Sequence, residues 1–252
     1  LWFKGGVTKR TAALTLAILQ ARMSSTRLPG KVMADLVGQP MILRQIERLK
    51  RAKRLDQIVV ATSTDASDDG LAERLIAEGI GVYRGSLDDV LSRFIGALDQ
   101  FGPDDTVVRL TADCPLADPE LIDATIELFE TSDADFTSNV PSRRSYPKGL
   151  DVEIIQADVL RLAAQEATAP YHREHVTAFV TQQPERFTIT GLEQHASEGE
   201  VRWTVDRPDD LDFVRAVYEA LYPRKADFTS NNVRVFVQSR PDLWALGGDR
   251  RY

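Results

Sequence analysis

Cysteine is almost missing: Cys114 stands alone in 252 residues. No disulfide can close within the chain, which suits a cytoplasmic setting. Long apolar runs are missing too, so no ordinary membrane-spanning helix is expected. Residues 1–13 carry Lys4, Lys9 and Arg10 ahead of a short apolar run, as a secretory leader does. That run contains Gln20 and passes into Arg22 without a small-residue cleavage site, so a loose N-terminal tail is expected instead. Positive charge is in deficit, with 31 Lys and Arg against 38 Asp and Glu. A net charge of -7 argues against non-specific binding of nucleic acid or anionic membrane. Neither G-x-x-x-x-G-K-[ST] nor G-x-G-x-x-G occurs, which removes the two commonest glycine-rich phosphate turns. No repeat, low-complexity segment or linker interrupts the rest. With 43% apolar and 27% charged residues, positions 14–252 read as a single globular domain.

What the chain does have is a short apolar run, residues 16–19, that breaks into a basic loop. Arg22, Arg27 and Lys31 fall within ten residues of each other. Ser24, Ser25, Thr26, Pro29 and Gly30 fill the gaps, letting the backbone approach a ligand and adding donors. A strand running into such a loop suits a polyphosphate, although a basic solvated loop has the same composition.

Further on, apolar strands alternate with helical patterns. Residues 57–62 and 106–110 read as buried strands and 81–84 as a short one. Helices are expected near 40–53, 67–78, 86–101 and 118–130. Such alternation implies parallel βαβ units, whose ligands sit at the carboxyl ends of the strands. Three of those ends are polar: residues 22–31, 62–65 and 111–113. After residue 132 the pattern changes. Strands are expected at 135–138, 150–155, 186–190 and 201–205, and helices near 157–166, 171–182, 208–221 and 233–239. The irregular stretch 139–149 and the strand after it are read as an inserted β-arm near 139–155.

Leu19-Gln20-Ala21-Arg22 through Pro29-Gly30-Lys31 resembles the signature loop of the sugar nucleotidyltransferases. The likeness is greatest to the cytidylyltransferases that make CMP-activated nonulosonic or octulosonic acids, and among these to the spore coat polysaccharide proteins of the F type. Better-known CMP-sugar synthetases carry Gly-Ser after the Arg, where this chain has Met23-Ser24-Ser25. The turns 111–115 and 203–208 follow in the family's order. The resemblance implies an α/β, Rossmann-like, mostly parallel sheet with helices on both faces, the nucleotide-diphospho-sugar transferase fold. It also implies CTP and a small sugar acid as substrates, Mg2+ as cofactor, release of pyrophosphate and a homodimer.

The candidate site residues divide by task. Arg22, Lys31 and Asp113 are the catalytic candidates. Leu19, Gln20, Ala21, Ser24 and Ser25, with Thr111, would wrap the nucleotide. Thr62, Ser63 and Asp65 would meet base and ribose, although Ser/Thr/Asp after a strand also caps helices. Arg84, and with less support Arg93, would face anionic groups. Asp113 ends a strand in a turn stiffened by Pro115, a good place for a hard cation that takes one or two carboxylates. Asp206 reads as a helix cap ahead of Pro208 or, by resemblance, as the second metal ligand. Asp88, Asp151, Glu153 and His175 fall in segments that the resemblance assigns to the acceptor. Arg109, a charge on a buried strand, must pair with a carboxylate or point into the site. His172 and His175 lack the H-E-x-x-H pattern of zinc enzymes. Cys114 beside Pro115 is expected to pack rather than attack. Two other readings remain at this stage. One is a glycosyltransferase using Asp133-Ala134-Asp135, although that pair precedes a strand. The other is a non-catalytic nucleotide-binding partner.

Overall fold

Leu16, Ala17, Ile18 and Leu19 carry no charge and send apolar side chains to both faces, Leu16 and Ile18 to one and Ala17 and Leu19 to the other, as the central strand of a covered sheet requires. All four are fully buried, each large one contributing roughly 1.5–3 kcal/mol before chain entropy is counted. They form β1 (Thr15–Gln20) in the computed structural model, which describes residues 14–102, 105–140, 143–244, 246, 250 and 251. The tail expected over residues 1–13 lies outside the described residues.

The elements then follow as α1 (Met41–Leu49), β2 (Gln57–Ser63), α2 (Asp69–Ala77), β3 (Gly81–Gly85), α3 (Val90–Phe101), β4 (Thr106–Thr111) and α4 (Pro119–Thr131). The later part adds β5 (Phe136–Ser138), β6 (Glu153–Gln156), α5 (Ala157–Glu166), α6 (Pro170–Glu174), α7 (Ala178–Thr181), β7 (Ile189–Gly191), α8 (Pro208–Leu221) and α9 (Ser230–Gln238). The sheet order is β3-β2-β1-β4-β6-β5-β7. Strands β1 to β4 are mutually parallel where they pair; β6 is antiparallel to both β4 and β5. The mostly parallel α/β sheet expected from the sequence is therefore what forms. The chain winds outward from β1 through β2 to β3, then crosses back to put β4 on the other side of β1. That reversal opens a crevice at the carboxyl ends of β1 and β4.

Helices α1, α2 and α4 cover one face through Ile42, Ile46, Leu71, Leu75, Ile122 and Phe129. Helices α3 and α5 cover the other through Leu91, Phe94, Leu98 and Leu160. A third apolar cluster, built from α8, α9, Trp203 and Val205, packs on Leu36, Met41 and Leu116. It brings α8, α9 and the segment before them back beside the crevice.

Three expected elements differ. Residues 201–205 are not a strand of the sheet. They make only isolated bridges, Lys148 with Arg202 and Val201 with Arg250, because Trp203 and Val205 enter the third cluster. The helix expected over 171–182 splits into α6 and α7 at Val176, whose φ of 50° lies in the left-handed region while its side chain is fully buried. Packing overrides helical continuity there. The expected strand at 186–190 shrinks to the three residues of β7, displaced toward Gly191.

Gly149 has φ 108°, and a Cβ there would lie 2.6 Å from the Thr204 nitrogen and 2.7 Å from the Trp203 carbonyl carbon. Gly149→Ala is therefore expected to destabilise the fold by about 2 kcal/mol or more, read as a lower urea midpoint.

Candidate active site

One more ladder bond, Ala21 N to Ala61 O at 3.1 Å, carries the chain past β1 before it turns. The turn is then fixed from below. Met23 N donates to the buried Asp68 carboxylate at 2.7 Å, and Ser25 N and Gly30 N both donate to Met23 O at 2.9 Å. Gly30, with φ 73°, starts a single 3-10 turn over Lys31–Met33. That geometry sends Lys31 inward, where it is only 8% exposed.

The Lys31 ammonium is the centre of the crevice. Its Nζ donates to Val205 O at 2.6 Å and to Asp206 Oδ1 at 3.1 Å, and lies 3.4 Å from Asp113 Oδ2. Asp113 arrives from the turn after β4, where Thr111 Oγ1 donates to its Oδ1 at 2.6 Å. Asp206 arrives from the loop before α8. The backbone joins these loops as well, Val205 N donating to Asp113 O at 2.8 Å. Gln20, Ala21, Arg22, Ser25, Arg27, Thr111, Asp113 and Asp206 line a cleft of about 200 Å³ around Lys31.

Asp206 is not the helix cap. Its own N–H and that of Arg207 donate to Asp210, at 2.8 and 2.9 Å, which frees the Asp206 side chain for the cleft. There it meets Lys31, Arg27 Nη2 at 3.1 Å and Arg202 Nη2 at 2.7 Å. Burial pushes the Asp206 carboxyl up, but the Arg202 hydrogen bond and the Lys31 and Arg27 charges outweigh it and leave it below the usual carboxylate range. Asp210 is depressed further: burial opposes ionisation, but Arg202, the Asp206 N–H and Arg251 overcome it. Arg251 is fully buried, donating to Asp210 and, at 2.7 Å, to Arg202 O. Asp68 is also depressed, since its hydrogen bonds from Ser63, Met23 and Thr62 outweigh its burial.

These three carboxyls hold protons less tightly folded than unfolded. Below the unfolded value of about 4 the unfolded chain binds more protons, so stability falls as pH falls. Acid unfolding should begin below about pH 4. Asp68→Asn should be less stable at pH 7 and show a flatter pH profile, both read from urea midpoints between pH 2 and 7.

Other candidates fall elsewhere. Leu19 is fully buried in the core, and Ser24 is exposed without lining the cleft. Thr62 and Ser63 are buried and turn their hydroxyls to Asp68. Asp65 caps the turn Ala66–Asp68 by accepting from Ser67 N at 3.0 Å. Arg84 pairs with Asp69 at 2.6 Å and donates to Ser63 O at 2.9 Å. Asp88 lines a neighbouring pocket of about 270 Å³ with Arg173 and with Arg22, which also lines the cleft. Asp151 is held by both terminal nitrogens of Arg144. Arg93, expected to face anionic groups, is instead fully buried, and its Nε and Nη2 have no hydrogen-bond partner. Burial and the nearby Arg22 charge push Arg93 down to about 10. Burial and Asp113 raise the Cys114 thiol, consistent with packing rather than attack.

Arg109, Glu153 and His175 do come together. Arg109 Nη1 donates to Glu153 Oε2 at 2.7 Å, and Thr177 Oγ1 donates to the same oxygen at 2.9 Å. With Tyr171, His175 and several apolar side chains they line a cavity of about 590 Å³. Arg109 Nη2 also reaches Gln20 Oε1 at 3.5 Å, and Gln20 lines the cleft. The cavity therefore adjoins the cleft along one sheet face.

No group of three or more His, Cys, Asp or Glu suited to a metal occurs among the described residues. Two carboxylates from separate loops nevertheless converge on one cation, the Lys31 ammonium. That donor set fits a magnesium ion completed by phosphate oxygens and water. Asp133 and Asp135 sit before β5, at the amino ends of the parallel strands and so at the other end of the sheet from the cleft, where Asp135 accepts from Thr188 N at 2.8 Å. They cannot serve the cleft. The arginine–aspartate network behind Asp206, and the Asp68 anchor, were missed from the sequence. Among the described residues, no helix is long and apolar enough to cross a membrane.

Comparison with known proteins follows the same line. A family model described as cytidylyltransferase matches residues 16–238. The spore coat polysaccharide biosynthesis protein SpsF of Bacillus subtilis is 31% identical over 234 residues, covering 90% of this chain and 95% of that one. The 3-deoxy-manno-octulosonate cytidylyltransferase of Mesorhizobium japonicum is 36% identical over 129 residues, covering 49% of this chain and 51% of its own. A solved cytidylyltransferase structure from Leptospira borgpetersenii is similar with a TM-score of 0.87 and 27% identity, covering 95% of this chain and 99% of that one.

Proposed function

The chain belongs to the cytidylyltransferase family and is a nucleotidyltransferase; on that premise we propose that it transfers CMP from CTP to a sugar acid. Pyrophosphate is the second product, and surface polysaccharide is the destination of the activated sugar. The observation that carries this reading is the convergence of Lys31, Asp113 and Asp206 in one cleft that also holds Arg22 and Arg27.

The cleft is cationic where a triphosphate would lie. Arg22, Arg27 and Lys31 neutralise its oxygens, and Gln20, Ala21 and Thr111 at the strand ends flank the nucleoside. Asp113 and Asp206 would hold Mg2+, which when bound neutralises phosphate charge and eases loss of the acceptor's proton. The acceptor lies in the adjoining cavity, between Arg109, Glu153 and His175. Its anomeric hydroxyl oxygen bonds to the α-phosphorus, the bond to the leaving pyrophosphate breaks, and the hydroxyl proton is released. Positioning and fixed charge carry such a transfer without a covalent enzyme intermediate.

The test is to incubate the protein with CTP, Mg2+ and a panel of 2-keto-3-deoxy sugar acids and to follow pyrophosphate. Release that needs both CTP and a sugar acid is the expected result. Release with sugar 1-phosphates alone, or none across the panel, would overturn the reading.

A further inference from the structure

Arg93 is a fully buried cation whose needs the fold leaves largely unmet. Its Nη1 donates to Ser86 O at 3.0 Å, while Nε and Nη2 have no partner. Burying a charge without a counter-charge is costly, and a group kept that way calls for a use beyond holding the fold together. Its surroundings suggest one. The Arg93 stem lies against Gly85 at the end of β3, where an added Cβ would be 3.3 Å from its Cβ and Cγ. Gly85 is the register partner of Ser63 on β2, and the Ser63 hydroxyl donates to Asp68. Asp68 in turn holds Met23 N, the residue after Arg22. Arg93 therefore stands behind the turn that carries Arg22, near enough for the two charges to repel.

Arg22 is half-buried, and among the described residues its guanidinium has neither an ion pair nor a hydrogen bond. It faces two ways. On one side is the cleft, and on the other the pocket that holds Asp88, Asp89 and Glu174. Those three carboxylates are alternative partners for Arg22. Arg173 already takes up Asp89, through Nε at 3.0 Å and Nη2 at 2.5 Å. Asp88 and Glu174 are exposed and have no such cation. Arg93 is tied to the same segment, since Ser86 lies two residues before Asp88. An Arg22 that turned toward these acids would approach a second fixed positive charge. We infer that Arg93 is a positioning residue, whose unpaired charge keeps the Arg22 guanidinium turned to the cleft, where a phosphate group is its counter-charge. The inference rests on the proposed binding of CTP in that cleft and adds the group that orients one of its cations.

Arg93→Met keeps an unbranched apolar stem and removes the charge. Calorimetric titration at pH 7 should show CTP bound about tenfold more weakly. The melting temperature should equal or exceed that of wild type, because an unpaired buried charge has gone. Arg93→Lys retains a charge at that place and should stay within about threefold of wild-type affinity. Arg22→Met should weaken CTP binding at least as much as Arg93→Met. The double variant should be no weaker than Arg22→Met alone, because both changes act through one guanidinium. Wild-type CTP affinity in Arg93→Met would overturn the inference and leave nucleotide transfer standing. So would losses that multiply in the double variant, or a loss in Arg93→Lys equal to that in Arg93→Met. An Arg93→Met protein that melts well below wild type, or does not fold, would show the guanidinium to be a support of the fold and overturn it too. A wild-type protein that binds no CTP would remove both this inference and the proposed function.

Discussion

Asp113→Asn should lower kcat/KM for CTP on the order of 10³-fold or more while the melting temperature stays near the wild-type value. The side chain keeps its size and its place in the turn beside Thr111, so the fold has little to lose. What goes is one of the two negative charges that meet at the Lys31 ammonium, 3.4 Å from Asp113 and 3.1 Å from Asp206. A site built to neutralise and align a triphosphate depends on that charge being in place before substrate arrives. Manganese binding, read by the loss of free Mn2+ signal in the presence of CTP, should weaken in parallel. Full turnover by Asp113→Asn would remove this carboxylate from the proposed metal role.

The second large effect is on stability and lies outside the cleft. Arg251→Met should destabilise the protein by about 3–5 kcal/mol, because it leaves the fully buried Asp210 short of a charged partner. Arg202 and two backbone N–H groups remain on Asp210, so unfolding should become easier rather than complete at 25 °C. The same charge chain runs on through Arg202 to Asp206. The loosened variant should therefore also lose activity, by a smaller factor than Asp113→Asn. Urea unfolding measures the first effect; a midpoint within about 0.5 kcal/mol of wild type would show that Arg202 alone sustains Asp210.

Local chemistry made half of this site readable. The apolar run 16–19 and the basic loop after it form one strand and one turn, so their sequence order is also their spatial order. Asp113 was legible for the same reason: a strand end, a small residue and a stiffening proline are neighbours in the chain. Arg109 declared itself through the cost of burying a charge, and Glu153 sits beside it in the register of β4 and β6.

What was not legible involves partners far apart. Thr62 and Ser63 have the composition of ligand contacts, but hydroxyls after a strand look alike whether they face a nucleotide or an internal carboxylate. Asp68 is that carboxylate, and only the turn that folds it back reveals it. Arg93 lies in the first turns of α3 and reads as a charge for anionic groups. It is buried because α3 packs directly over Gly85, where an added Cβ would lie 3.3 Å from the Arg93 side chain. Residues 201–205 have the alternation of a strand, yet their apolar side chains serve a cluster away from the sheet. Asp206 could be read as a cap because Asp210, four residues later, does that work instead.

The Lys31 ammonium touches groups 82, 174 and 175 positions along the chain. A ribosome therefore finishes the β1 to β4 half long before the second carboxylate has been synthesised. A nascent chain halted after α4 would carry the basic loop with only one acidic arm opposite it. Nucleotide added to such stalled chains should give little protection from proteolysis, whereas chains released after α9 should be guarded.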